Sequence, residues 1–209
     1  MKILIVDDHA VIHQGLRRML EDEFKGAIFG NARDSQQAID LARRDAWDVV
    51  ILDIVLPGRG GLEVLKQIQA ERPKLPVIIF SMHSEEQFAV RAFKAGASGY
   101  LEKESPSTQL VEAIRKVTSG GKYVSPKLAE QLAAGLRNDL SRAPHELLSD
   151  REFEVLRMIA AGKTTTAIAE QLSLSVKTVS TYRTRILEKL QLTASSELLR
   201  YAFEHGLDR

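Results

Sequence analysis

"VVILDIVLPGRGG", Val49 to Gly61, decides the fold. An apolar run reaches one carboxylate, Asp53, and resumes as Ile54-Val55-Leu56 before Pro57-Gly58 and Gly60-Gly61. A run that is apolar at every position, not at alternate ones, suits a strand covered on both faces, as in a parallel sheet. A carboxylate buried inside such a strand is expensive without a partner. At the strand's C-terminal end it can serve chemistry instead, so the reading turns on what else stands beside Asp53.

Outward from this stretch, strand and helix patterns alternate. Lys2–Val6, Ala27–Asn31, Asp48–Asp53, Val77–Ser81 and Ser98–Leu101 predict strands. Ala10–Asp22, a helix capped by Asp34 and running to Arg44, Leu62–Gln69, Glu85–Ala95 and Pro106–Thr118 carry helical spacing. On the first helix Val11, Leu16, Met19 and Leu20 form the apolar set. Five strands alternating with helices predict an α/β fold, a doubly wound (βα)5 parallel sheet with helices on both faces. Ligands on such sheets sit at the C-terminal strand ends. Beyond it, Pro126–Leu136 reads as a helix and Asn138 to His145 as a polar linker; from Ser149 only short helices follow. The expected domains are 1–121, a helical linker 122–146, and an all-α module 147–209.

Composition narrows the function classes. The 209 residues carry a net charge of +1, so nucleic-acid affinity requires a local patch. The absence of cysteine excludes disulfides, thiolate nucleophiles and Cys-based zinc sites. "MKILIVDD" turns acidic too soon for a signal peptide, and no stretch approaches the ~20 apolar residues of a membrane helix. The chain therefore reads as cytoplasmic, with no membrane partner.

The first strand ends at Asp7 and Asp8, the third at Asp53. In the common doubly wound order these strands are neighbours, which brings three carboxylates into one pocket. Like charges repel at that distance, and a hard divalent cation relieves them. Mg²⁺ takes oxygen ligands and keeps several waters, so two or three carboxylates plus backbone suffice. Ser81 and Lys103, at two further strand ends, complete a set able to balance a phosphoryl group. His9 and His13 are four apart, but two imidazoles without another soft donor make a poor metal site, and they read as solvated helix residues. Glu85-Glu86 reads as a helix N-terminal charge preference.

These residues resemble the receiver domain of two-component response regulators, from Met1 to about Gly121. The resemblance implies Asp53 as phosphoacceptor, fed by a phosphohistidine of a sensor histidine kinase. It implies Asp7, Asp8, Asp53 and the backbone carbonyl of Val55 as the Mg²⁺ shell, and Lys103 as the phosphate contact. Ser81 becomes the hydroxyl switch, and Tyr100 the aromatic switch that turns from outward to buried. Pro57, Gly58, Gly60 and Gly61 form the turn into the next helix. Glu104 after Lys103 departs from the proline of many receivers. His83 and Val55 would flank water's approach to the acyl phosphate.

The second module opens with Ser149-x-x-Glu152, a capping box. Phe153, Val155, Leu156 and Ile159 line its first helix, which Gly162 ends. A second helix, Thr165–Leu172, turns inward Ile168, Ala169 and Leu172; a third, Val176–Leu190, offers Val176, Val179, Ile186, Leu187 and Leu190 to the core. Two short helices about the tight "SLS" turn make a helix-turn-helix. The third helix holds Lys177, Arg183, Arg185 and Lys189 against Glu188, the local positive patch that DNA requires. The segment resembles the LuxR-type DNA-binding domain, and the whole chain a NarL/FixJ-type response regulator; "KTTTA" before Ile168 departs from the polar or charged pair of many relatives. The resemblance implies a non-enzymatic transcription regulator on double-stranded promoter DNA, in which phosphorylation promotes homodimerisation. Lys177, Ser180, Thr181, Thr184 and Arg185 are the expected base or backbone readers, and Thr178, Tyr182 and Lys189 the phosphate or sugar contacts. On the final helix, Ser195–His205, Leu198, Leu199, Ala202 and Phe203 lie beyond the trihelical core, as internal packing or as a dimer seam. Two rivals remain. A phosphoaspartate-forming phosphatase wants a D-x-D nucleophile strand, which Asp7-Asp8 and Asp53-Ile54-Val55 do not give. A DNA binder with a vestigial receiver conflicts with the intact acidic set.

Overall fold

The computed structural model describes residues 1–57, 59–126, 128–130 and 143–207, with only the backbone of Glu86 and Gln87. The chain divides into two compact units, Met1–Ala133 and Ala134–Arg209. Gly58 and most of the expected Pro126–Leu136 helix and Asn138–His145 linker lie outside the described residues; 126 and 128–130 are helical.

The first unit is a five-stranded parallel sheet in the order β2-β1-β3-β4-β5. Its strands are β1 (Lys2–Val6), β2 (Ile28–Ala32), β3 (Val49–Leu52), β4 (Val77–Ser81) and β5 (Gly99–Glu102). Between and after them run α1 (Ala10–Glu23), α2 (Ser35–Arg44), α3 (Gly61–Glu71), α4 (Glu85–Lys94) and α5 (Ser107–Thr118). β3 and β4 are buried at every residue, as their unbroken apolar runs require, whereas β2 at the edge is largely exposed or half-buried. The other edge is covered. Tyr123 N–H donates to Ser98 O at 2.8 Å and pairs in parallel with Gly99, so the segment after α5 extends the sheet beside β5. An uncovered edge would invite pairing with another chain.

Three strands differ from the sequence expectation by one residue at each end, and one difference matters: β5 runs to Glu102, so Lys103 leaves the sheet directly at its C-terminal end. Asp34 caps α2 as expected, its Oδ1 accepting from Gln37 N–H at 2.9 Å. The apolar reading of α1 needs two corrections. Val11 is 77% exposed, and His13 is buried in its place. His13 lies on the inward stripe three and seven residues before Leu16 and Leu20, so it is no solvated helix residue.

The second unit is helical. A 3-10 turn (Pro144–Leu147) precedes α6 (Asp150–Ala160), α7 (Thr165–Gln171), α8 (Val176–Leu190) and α9 (Ser195–Glu204). The capping box forms: Ser149 Oγ accepts from Glu152 N–H at 3.3 Å, and Glu152 Oε2 accepts from Ser149 N–H at 2.8 Å. Gly162, at φ +78°, ends α6. The run of threonines that departs from the relatives supplies the next cap, Thr164 Oγ1 accepting from Ala167 N–H. Ser173, at φ +53°, makes the "SLS" turn. Phe153, Val155, Leu156, Ile168, Ala169, Leu172, Val179, Ile186 and Leu190 are buried as expected. Val176 is not: at the first position of α8 it points away and is 47% exposed. Leu198 and Ala202 pack internally, while Leu199 and Phe203 are 46% and 73% exposed, so internal packing accounts for only part of α9.

Gly61 carries the turn after β3. A Cβ there would stand 2.1 Å from the carbonyl oxygen of Asp53 and 2.7 Å from the Cα of Ile54, both backbone. Gly61 N–H also donates to Ile54 O at 2.7 Å, so the turn cannot simply open. Gly61→Ala is expected to destabilise the first unit by roughly 1–3 kcal/mol, the cost of overpacking a site that cannot move. Urea denaturation of the full-length protein checks this through a lowered midpoint at unchanged slope.

Candidate phosphoacceptor centre and nucleic-acid interface

β1 and β3 pair in register with Val6 opposite Leu52, so the residues that follow each strand emerge side by side. Asp53 N–H donates to Val6 O at 2.9 Å, and Asp7 N–H to Ala32 O at 3.1 Å. The backbone thus fixes both carboxylates at the sheet's C-terminal edge. Asp7, Asp53 and Ser81 are buried. The Lys103 ammonium reaches between the two acids, 2.5 Å from Asp7 Oδ2 and 2.7 Å from Asp53 Oδ2, with its side chain only 6% exposed. Val55 N–H donates to Asp53 Oδ1 at 3.3 Å, which turns the Val55 backbone along that carboxylate. Ser81 favours the charged form of Asp53, the smallest of the influences on that carboxylate.

The electrostatics follow from burial. Desolvation foremost, aided by the Asp7 charge, holds Asp53 above the usual carboxylate range in spite of Lys103 and Ser81. Burial works against the charged form of Lys103, but Asp53 and Asp7 outweigh it and hold the lysine above its ordinary value. Asp7, Asp8 and Asp53 against one ammonium leave two negative charges, the amount one divalent cation cancels. All the carboxylate donors are hard oxygens, which fits Mg²⁺.

Two histidines surround this centre in ways the sequence did not reveal. His9 caps the start of α1, its N–H donating to Asp7 Oδ1 at 2.9 Å, and its Nδ1 stands 2.7 Å from Asp8 Oδ1. Asp7, Asp8 and His9 bring their ligand atoms within 4.8 Å of one another. His13 Nε2 donates to Asp7 O at 2.6 Å, holding the backbone that presents the first carboxylate. The helical stripe it shares with Leu16 and Leu20 was the available signal.

Tyr100 is fully buried, its hydroxyl donating to His83 O at 2.9 Å. The aromatic side chain expected to turn inward already stands there. His83 N–H lies 3.4 Å from Ser81 Oγ, and its ring stacks on Phe88 with centroids 4.8 Å apart.

In the second unit, Lys177, Ser180, Thr181, Thr184 and Arg185 are all exposed on α8, whereas Thr178 and Tyr182 are half-buried. At 3.6 residues per turn the first four share one stripe, with Arg185 at its edge and Thr178, Tyr182 and Lys189 on the flank. Ser175 caps the helix, accepting from Thr178 N–H at 3.0 Å. The Thr178 hydroxyl is engaged with that cap, and Lys189 Nζ lies 2.6 Å from Glu152 Oε2. Lys189 therefore braces α8 against α6. Inside α6 a buried pair, Arg151 Nη1 to Glu154 Oε2 at 2.6 Å, is joined by Arg151 donating to Leu172 O.

A family model for the response regulator receiver domain matches residues 3–115, and one for bacterial regulatory proteins of the luxR family matches residues 146–202. The chain belongs to the NarL/FixJ family of response regulators. It is 38% identical over 208 residues to the response regulator GacA of Pseudomonas aeruginosa, covering 99% of this chain and 97% of that protein. It is 36% identical to UvrY of Escherichia coli, covering 99% and 95%. Among solved structures, RcsB from Salmonella enterica serovar Typhimurium, bound to the promoter P1flhDC with the phosphomimetic BeF3⁻, superposes with a TM-score of 0.66 at 28% identity, covering 96% of this chain and 97% of that one. A LuxR-family response regulator from Aurantimonas sp. gives 0.60 at 36% identity, covering 66% and 98%. RcsB has also been solved as two dimers on two parallel DNAs. The family is one of transcription factors, not of enzymes, which removes the phosphatase rival. Among the described residues, no helix is long and apolar enough to cross a membrane.

Glu152 links the fold of this unit to pH. Burial pushes its carboxyl up, but hydrogen bonds from Lys189 and Ser149 outweigh this and hold it below the usual range. The stabilisation is complete above the unfolded value, about 4.3, and is lost as pH falls through the lower folded value. Lys189→Met is expected to lower stability near neutral pH by roughly 0.5–1 kcal/mol, since the half-exposed ammonium is partly screened. The gap between variant and parent should close on acidification. Denaturant midpoints measured from neutral pH downward check it, and a gap that widens in acid would refute it.

Proposed function

We propose that this response regulator is phosphorylated on Asp53 by a sensor histidine kinase and that the modification promotes homodimerisation and promoter binding in the cytoplasm. The observation that carries the reading is the Lys103 ammonium between Asp7 and Asp53 at the ends of neighbouring strands. On this reading 1–121 is the receiver, 122–146 the linker and 147–209 the DNA-binding domain.

The Asp53 carboxylate attacks the phosphorus of a kinase phosphohistidine; the P–N bond breaks, the imidazole departs, and an acyl phosphate remains. Asp7, Asp8, Asp53 and the Val55 carbonyl would hold Mg²⁺, which when bound supplies charge neutralisation on the phosphoryl oxygens. Lys103 swings its charge from the carboxylate pair to a phosphoryl oxygen, and Ser81 donates to another. Tyr100 keeps the β4–α4 loop closed from inside. On DNA, α8 enters the major groove with Lys177, Ser180, Thr181, Thr184 and Arg185 toward base edges or nearby backbone, and Thr178 and Tyr182 toward phosphate and sugar. Lys189 joins that flank only as far as Glu152 releases it. RcsB's promoter complexes and paired dimers support a dimeric, DNA-bound state.

Acetyl phosphate with Mg²⁺ should add one phosphoryl group by intact mass. Asp53→Asn should take none, and Asp8→Asn should take it more slowly. Equal uptake by Asp53→Asn removes the assignment.

On the selected operator, log K should fall with log salt by about 0.9 per phosphate contact. Lys177→Ala and Arg185→Ala should weaken binding without loss of helicity, and a variant that loses a phosphate contact should lose about one unit of slope. Unchanged affinity and slope in both would move the reading surface elsewhere.

A further inference from the structure

The first residue of α4 is held from two sides. Its backbone N–H donates to Glu102 Oε1 at 2.8 Å, one residue before Lys103. Its side chain accepts from Ser125: the Ser125 hydroxyl lies 2.5 Å from Glu85 Oε2. Ser125 also caps the helical turn at 126 and 128–130, its Oγ accepting from Leu128 N–H at 3.1 Å and its carbonyl from Ala129 N–H at 2.9 Å. Leu128 is fully buried, and Tyr123 is tied to Ser98 beside β5. One hydroxyl therefore serves the start of the linker and the start of α4 together. Two residues before Glu85, His83 gives its N–H to Ser81 Oγ and takes the Tyr100 hydroxyl on its carbonyl.

Resting on the phosphoacceptor reading, we propose that Ser125 and Glu85 are positioning residues that latch the start of the linker to the switch loop, so that a phosphoryl group on Asp53 tightens the linker segment 123–130. The direction follows from the pose. The latch is closed while Tyr100 is buried with its hydroxyl on His83 O and His83 N–H is on Ser81 Oγ. A phosphoryl group that accepts from Ser81 holds residues 81–85 in this pose, and hence holds Glu85 on Ser125. Glu85 in this structure is thus more than a charge preference at a helix start. The coupling is reciprocal: whatever the phosphoryl group adds to the latch, the latch adds to phosphoryl binding.

Variants at Ser125 separate latch from cap. Threonine keeps the hydroxyl for both. Aspartate remains a good N-cap but sets a carboxylate against Glu85. The full-length protein is examined with beryllofluoride and Mg²⁺ by hydrogen exchange over 123–130, and acetyl phosphate uptake is followed by intact mass. In the parent and Ser125→Thr, beryllofluoride should slow exchange of the 125–130 amides about 3- to 10-fold, the net scale of one hydrogen bond. In Ser125→Asp the slowing should vanish, and beryllofluoride affinity should fall by the same factor, while acetyl phosphate still modifies Asp53. Equal slowing and equal affinity in Ser125→Asp would overturn the latch, as would a parent that is phosphorylated yet shows no gain in protection. A parent that takes no phosphoryl group at all overturns the functional reading, and the latch's role with it.

Discussion

The Lys103 ammonium between Asp7 and Asp53 is the contact on which the receiver depends. Two buried carboxylates at adjacent strand ends would repel and protonate; one ammonium between them keeps both in place and still leaves the site negative. Everything nearby serves that geometry. The β1–β3 pairing sets the spacing of the acids, His13 fixes the Asp7 carbonyl, and Gly61 lets the chain fold back against the carbonyl of Asp53. The excess negative charge is the functional part. On the proposed reading it is what Asp7, Asp8 and Asp53 would offer a divalent cation, whose charge would leave the lysine for an incoming phosphoryl group.

The DNA-binding unit handles charge in the opposite way. Its inward acids and bases are matched inside the domain, Arg151 with Glu154 and Lys189 with Glu152, so α6 is packed tightly despite carrying four charged side chains at buried positions. Among the described residues, Lys177, Arg183 and Arg185 of α8 have no ion pair and stand on its exposed side. A net charge of +1 for the whole chain conceals this division, since each unit is itself close to neutral and the charge is segregated within it, into an acidic pocket in one and a basic helix face in the other.

Backbone-level features were legible in the sequence because they depend on local chemistry. The unbroken apolar run before Asp53, the Asp34 cap, the Ser149–Glu152 capping box and Gly162 all state their structure within a few residues. The strand-end acids, Ser81 and Lys103 could be brought together because a doubly wound sheet leaves them one edge to share. What stayed hidden depends on contacts between distant residues. Lys189 reads as one more basic residue until Glu152, 37 positions away, takes its ammonium. Ser125 reads as a linker residue until Glu85 meets it across 40 positions. Val11 and Val176 fit helical patterns but fall at first turns, where the chain has not yet reached its core face. His13 shares the stripe of Leu16 and Leu20, but an imidazole on a helix reads by residue type as solvent-facing.

Tyr100 changes what the phosphoryl group has to accomplish. A ligand shifts an equilibrium only by its differential affinity for the two states. Here the tyrosine is buried and its hydroxyl bonded to His83 O without any phosphoryl group. The inward pose is therefore compatible with the bare carboxylate, and Lys103 holds it there. On the proposed reading, phosphorylation of Asp53 would replace that ion pair with a larger anion that several groups can grip at once. The modification thus acts by deepening a pose the chain can already adopt, and any signal must be read where that added stability is felt, along the β4–α4 loop and the segments bonded to it.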